Sequence, residues 1–171
     1  MSDQTTRNDA PALPALPAGA LDFDFFHGRW RGRNRRLMER LAGCQEWTEF
    51  DSTVECWPML GGLANVDEYK SEHLPGFVAM TVRVFDPKAQ QWAIYWADNR
   101  YGTLDPPMRG AFEGDLGIFF GADFHQGRAV LCRFLWRRGT PTNPGPRWEQ
   151  AFSADGGQTW ETNWTMDFTR L

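Results

Sequence analysis

With 171 residues, 18 Lys and Arg against 22 Asp and Glu, and a formal charge of −4, the chain has the size and balance of one ordinary globular domain. A chain of this length buries about two thirds of its extended surface on folding, so neither a disulfide framework nor a structural metal is needed to hold a core. The weak acidity argues against a general nucleic-acid binder, and no stretch approaches the roughly 18 consecutive apolar residues of a membrane span.

Residues 1–20, MSDQTTRNDAPALPALPAGA, have no cationic start and carry prolines through their apolar part, which fits a disordered Pro/Ala-rich tail and not a signal peptide. The expected layout is that tail followed by one domain over 21–171. Cys44, Cys56 and Cys132 are an odd number without CxxC spacing, so reduced structural thiols and a cytoplasmic location are expected. Leu21–Phe26 has the apolar spacing of a short helix, placed to plug one end of whatever follows.

From there the chain reads as all-β. Runs with two-residue alternation or high aromatic and β-branched content fall near 29–38, 47–57, 63–70, 77–85, 91–98, 108–114, 117–122, 129–137, 147–153 and 159–169. They are separated by turn chemistry such as Asp86-Pro87, Gly114-Asp115, Gln126-Gly127 and Asp155-Gly156-Gly157. Ten antiparallel strands with short turns predict a single up-and-down barrel. The last strand is the clearest, with Trp160, Thr162, Trp164, Met166 and Phe168 on one face and polar residues on the other.

Four arginines, at 29, 31, 33 and 35, share one face of the first strand. A phosphate- or RNA-binding stripe is one reading. The other is a cross-strand charge ladder, in which a hairpin closing near Gly43 sets Arg35 by Asp51 and Arg31 by Glu55. An amphipathic helix over 33–41 is a further alternative for part of this segment. The Gly61-Gly62 pair predicts a bend at a barrel corner, and residues 98–107 a long connection serving as a lid at the open end.

Two patterns invite a catalytic reading. Ser153-Ala-Asp155-Gly-Gly157-Gln-Thr-Trp160 matches the Asp-box of sialidase propellers, but a propeller needs several repeats and a longer chain, so the motif is expected to be a hairpin device. Among the carboxylates Asp67, Glu68, Asp98, Glu113 and Glu149, no spacing singles out a pair, and there is no GxSxG, HExxH or phosphate-binding glycine loop. Glu149 and Asp98 are the candidates for a general acid or base, with Gln150 and Tyr95 as polar partners. No cofactor is expected.

The aromatic load, 9 Trp and 13 Phe beside 3 Tyr, suits both a core and the wall of a ligand cavity. Trp30 and Trp160 are expected to be structural, and Trp96, Trp136 and Trp164 to line a cavity.

Gly28-Arg29-Trp30 at the mouth of the first strand, together with Arg170 at the end of the last, resembles the structural signature of the calycin superfamily, which includes lipocalins and fatty-acid-binding proteins. The order DFDFFHGRW, WPMLGGLANVDEY, FDPKAQQWAIYWAD and RWEQAFSADGGQTWETNW is similar to a bacterial family of lipocalin-like proteins, over nearly the whole chain from Leu21. The resemblance implies that Trp30 packs at the closed end under the Arg170 guanidinium, whose donors satisfy backbone carbonyls. It transfers a fold and no activity. Ten-stranded relatives that hold haem use a His on a late strand, and here none follows His125.

In fatty-acid-binding barrels an internal Arg holds the ligand carboxylate, and this directs attention to Arg133 and Arg83, each set among apolar neighbours. Each either leaves the barrel to pair with an acid or points inward to await an anionic group. The expected function is binding of a small hydrophobic or amphipathic molecule, with no nucleic-acid or membrane partner. The rivals are a barrel enzyme working through a cavity carboxylate and a homodimeric interaction module.

Overall fold

The computed structural model describes residues 15–142 and 144–171. The ten expected strands are present, their ends moving by at most three residues. They are β1 (Gly28–Leu37), β2 (Trp47–Met59), β3 (Ala64–Ser71), β4 (Val78–Asp86), β5 (Gln91–Asp98), β6 (Met108–Glu113), β7 (Leu116–His125), β8 (Arg128–Arg137), β9 (Arg147–Ser153) and β10 (Glu161–Arg170). Each pairs antiparallel with the next, and β1 pairs with β10 to close the barrel, so every strand has a neighbour on both sides.

The helix alternative over 33–41 does not form. β1 runs to Leu37 because it is bonded on both sides, to β2 and β10. The β1–β2 register differs from the expected one by two residues, with Arg33 facing Asp51 and Arg35 facing Glu49. The arginine stripe lies outside the barrel and is ion-paired along its length, by Arg29–Glu55 (3.9 Å), Arg31–Asp51 (3.6 Å), Arg33–Glu49 (2.9 Å) and Arg35–Glu49 (3.2 Å). Such exposed pairs are weak, and the ladder accounts for the charges without a ligand.

The plug closes one end. It comprises two short 3₁₀ turns, Ala18–Leu21 and Asp24–Phe26, and begins earlier than the composition suggested. Ala20 is buried, and the Trp92 indole donates to the Gly19 carbonyl at 2.9 Å. Residues 1–14 of the expected tail lie outside the described residues. Phe23 and Phe26 sink into the barrel among Trp92, Phe112, Phe119, Trp136 and Phe168. Arg138 ties the plug to the end of β8 through Asp22 at 2.8 Å. Beneath it, Trp30 stacks on Phe26 and donates to the Phe26 carbonyl at 2.7 Å. The Arg170 guanidinium lies 4.4 Å over the Trp30 ring and donates to the His27 carbonyl, the arrangement the signature implied. Gly28 has φ of 111°, a backbone conformation that side chains rarely adopt, so the backbone favours glycine there.

The Asp-box is the turn between β9 and β10. Asp155 accepts from the Thr159 amide (2.9 Å) and hydroxyl (2.6 Å) and from Ser153 (2.7 Å), while Gly156 and Gly157 take positive φ. The bonds to Thr159, then that from Ser153, hold the Asp155 carboxyl well below the usual carboxylate range. A depressed folded-state value contributes stability above the unfolded value that is lost as pH falls through the folded one. Asp155→Asn is therefore expected to melt below wild type at neutral pH, with the difference closing in acid. An equal deficit at every pH would show that the carboxylate charge does not matter.

Candidate functional site

The inner wall is set by strand parity. Thr81 and Arg83 of β4, Ile94 and Trp96 of β5, Cys132, Phe134 and Trp136 of β8, and Trp148 and Gln150 of β9 share the face that encloses the core. Above the plug they surround a cavity of about 380 Å³, within the range of small-molecule sites. Trp136, stacked on Phe168, forms its floor, and Trp148, Trp164 and Trp96 its wall. The cavity opens where β5 and β6 part. Their pairing ends at Ile94–Met108, and the connection over 99–107 fills the gap, anchored by the Asp105 amide on the Trp96 carbonyl (2.8 Å). Asp105, Pro106 and Phe124 border the opening, so the predicted lid segment stands at the mouth.

Arg83 points inward and is almost fully buried. Its Nη1 lies 2.6 Å from the equally buried Asp67 carboxylate and donates to Asn65 Oδ1 at 3.0 Å. The Asp67 contact is a close ion pair and not a well-aligned hydrogen bond, and Arg83 Nε has no partner among the described residues. The guanidinium also lies over Phe23, Phe26 and Trp136, at 5.1 to 5.4 Å from the ring centres. Its charge is thus already answered by the protein.

Arg133 corrects the expectation. It is on the outer face, 4.7 Å over the Trp160 ring, because the β9–β10 turn folds back across that side and covers it. The apolar neighbours that made it look internal, Leu131 and Leu135, are outer-face residues too, beside Phe120 and Trp160. Glu149 is likewise outside, bonded to Arg147 at 2.8 Å. Asp98 faces inward near the mouth, but Arg100 grips it twice, at 2.7 and 3.0 Å, and holds its carboxyl below the usual range. That is opposite to what a general acid needs. Tyr95 faces away from Trp96 and Asp98 and lines no part of the cavity.

Trp96, Trp136, Trp164, Gln150 and Arg83 do line the cavity, as does Trp148. Gln150 donates to Asn163 at 2.8 Å, a buried pair at the β10 bulge. Deeper polar order comes from Asn34, whose Oδ1 accepts from the Trp164 indole (3.0 Å) and the Tyr69 hydroxyl (3.2 Å), fixing both rings. Cys132 also faces the cavity, where burial pushes its thiol up and leaves it a poor nucleophile. Asp105 is raised by burial, then by Asp123 and Asp98.

The mouth holds a second hollow of about 420 Å³, which shares Trp96, Gln150 and Trp164 with the first. Two arginines not singled out from the sequence stand there. Arg36 lies 5.4 Å over Trp164, and Arg40 5.4 Å over Phe152. Arg36 was legible, since it breaks the odd-numbered stripe and falls on the face of Trp30 and Asn34. Arg40 was not, because it follows the end of β1, where parity stops. No protein-family model matches the chain, and no curated protein matches it.

Proposed function

We propose that the protein is a calycin-like barrel of the cytoplasm that binds a small, mainly hydrophobic molecule. The observation that carries this reading is the aromatic cavity of about 380 Å³, closed below by the plug and bordered at its mouth by Asp105, Pro106 and Phe124. An aromatic wall interrupted by a few polar groups is how such barrels hold ligands of modest size. The Gly28, Trp30 and Arg170 contacts support the calycin resemblance, and three free cysteines, two of them buried, fit a reducing compartment.

Binding is favoured over catalysis because both carboxylates expected to act as acid or base are held by arginines. Native mass spectrometry of the protein from its own cells is expected to find an added mass of roughly a few hundred daltons, released on unfolding. A chain without added mass that also fails to bind a neutral apolar dye would overturn the reading. A dimer without ligand would instead favour the interaction module.

A further inference from the structure

Most tryptophans of the plug and barrel wall spend their indole N–H on the protein. Trp30 donates to the Phe26 carbonyl, Trp92 to that of Gly19, Trp160 to that of Gly157 and Trp164 to Asn34 Oδ1. Trp136 and Trp148 are buried like Trp30 and Trp92, yet no group of the described residues accepts from either indole. A buried N–H is ordinarily bonded, because taking it out of water without a partner is costly. Neither is sealed in, as the unpartnered Arg83 Nε is, so both remain within reach of a molecule in the cavity that these residues line.

The two residues are direct cross-strand partners on β8 and β9, and their rings are held in place. Trp136 stacks on Phe168 at 5.8 Å and meets the Arg83 guanidinium, while Trp148 meets Phe134 at 5.0 Å and Trp164 at 5.4 Å. The buried Thr81 hydroxyl on β4 also lines the cavity and has no partner among the described residues. Charge, by contrast, is matched. Asp67 answers Arg83 and Arg100 answers Asp98, and the hollow at the mouth sets Arg36, Arg40 and Arg100 against Asp98, Asp105 and Asp123. A charged group drawn into the cavity would leave water without meeting a counter-ion below the rim, where Asp105 and Asp123 stand exposed.

Resting on the binding function above, we infer that the ligand is an uncharged aromatic molecule whose carbonyl oxygen accepts from the indole N–H groups of Trp136 and Trp148, its rings lying between the tryptophan walls. An indole N–H can only donate, and a carbonyl oxygen carries two lone pairs, so one such group can answer both donors. Trp148 and Trp164 stand at 87° to each other, and Trp96 and Trp164 at 79°. Rings so arranged offer their faces to the hydrogen-bearing edge of a planar body. Because the donors are fixed before the ligand arrives, little ordering is lost on binding.

The test uses three probes of one skeleton: propionyl-dimethylaminonaphthalene, its propyl analogue in which a methylene replaces the carbonyl, and dimethylaminonaphthoate. Phenylnaphthylamine, a neutral dye without a carbonyl, reports the cavity alone. The full chain is expected to bind the ketone about tenfold more tightly than the propyl compound and about tenfold or more above the carboxylate. Trp148→Phe keeps a ring and removes the N–H, and is expected to weaken the ketone about fivefold while leaving the propyl compound within about twofold. The infrared carbonyl stretch of the ketone bound to wild type is expected below its position in dry hexane, and Trp148→Phe or Trp136→Phe should move it back up, a change that a merely structural role would not produce. Should neither variant fold, the wild-type stretch decides: a position as in dry hexane overturns the assignment. Equal affinities for ketone and propyl compound, or equal weakening of both by Trp148→Phe, overturn the carbonyl contact while the cavity stands. Tightest binding of the carboxylate overturns the neutral ligand. Failure of wild type to bind any probe, phenylnaphthylamine included, overturns the cavity function and the assignment with it.

Discussion

Arg83→Met is expected to cost about 3–5 kcal/mol of folding stability, read as a lower urea midpoint at unchanged slope. The substitution keeps an unbranched side chain of similar reach, so the cost does not come from a hole. It comes from Asp67, left as a buried carboxylate with its positive partner gone, and from Asn65, which loses the donor on its Oδ1. A charge excluded from water and unpaired is among the few features for which one side chain carries a loss of this size. Three aromatic rings lose a cation at 5.1 to 5.4 Å, which adds to the cost.

The second half of the cycle separates that account from simple packing. Replacing Asp67 by Leu in the Arg83→Met background removes the stranded charge, and the double variant is expected to recover to within about 1–2 kcal/mol of wild type. Losses that simply add would mean that the two residues stabilise the barrel independently. The pair sits at the junction of plug and cavity, so its value to the protein is read in the dye affinities of the double variant. A recovered fold with weakened phenylnaphthylamine binding would assign the pair to shaping the cavity floor.

Arg83 and Arg133 also mark where the sequence stops being readable. Both interrupt apolar runs on strands, and a period of two places each correctly relative to its own neighbours. Parity groups residues by face but does not tell which face is inside. For Arg83 the deciding fact is an acid and an amide on β3, at Asp67 and Asn65. For Arg133 it is the β9–β10 turn, which brings Trp160 across the outside of β8 and makes an outer face apolar. The strands and the plug depend on local pattern and were legible, whereas the Trp30–Arg170 contact was expected from the resemblance of Gly28-Arg29-Trp30 and Arg170 to the calycin signature. The β1–β2 register was missed because the connection over 38–46 is too long for a turn residue to fix it, and Gly43 was not its midpoint. The cavity wall was foreseen in Trp96, Trp136 and Trp164, since tryptophans on late strands of a barrel either fill it or line it. Arg40 at the mouth was not, because it follows the end of β1 in an irregular segment where parity stops.

Phe23→Ala is expected to cost about 3–5 kcal/mol, the range for removing a large aromatic ring from a packed interior. Phe23 has no exposed surface, meets Trp92 and Phe112 edge-on at 5.0 Å, and lies beneath the Arg83 guanidinium. What distinguishes this void from an ordinary core cavity is its neighbour. Arg83 and Trp136 contact Phe23 from above and at the same time line the ligand cavity, so they form the partition between the two spaces. A dry apolar void of this kind takes up benzene, and any molecule bound to the folded state alone raises its stability. Benzene is therefore expected to raise the melting temperature of Phe23→Ala more than that of wild type. If the partition yields, phenylnaphthylamine binds the variant at least as tightly, because the cavity has deepened towards the plug. A loss below about 1 kcal/mol would mean that the plug does not bear on the barrel, and the closed end on which ligand retention depends would have to be sought elsewhere.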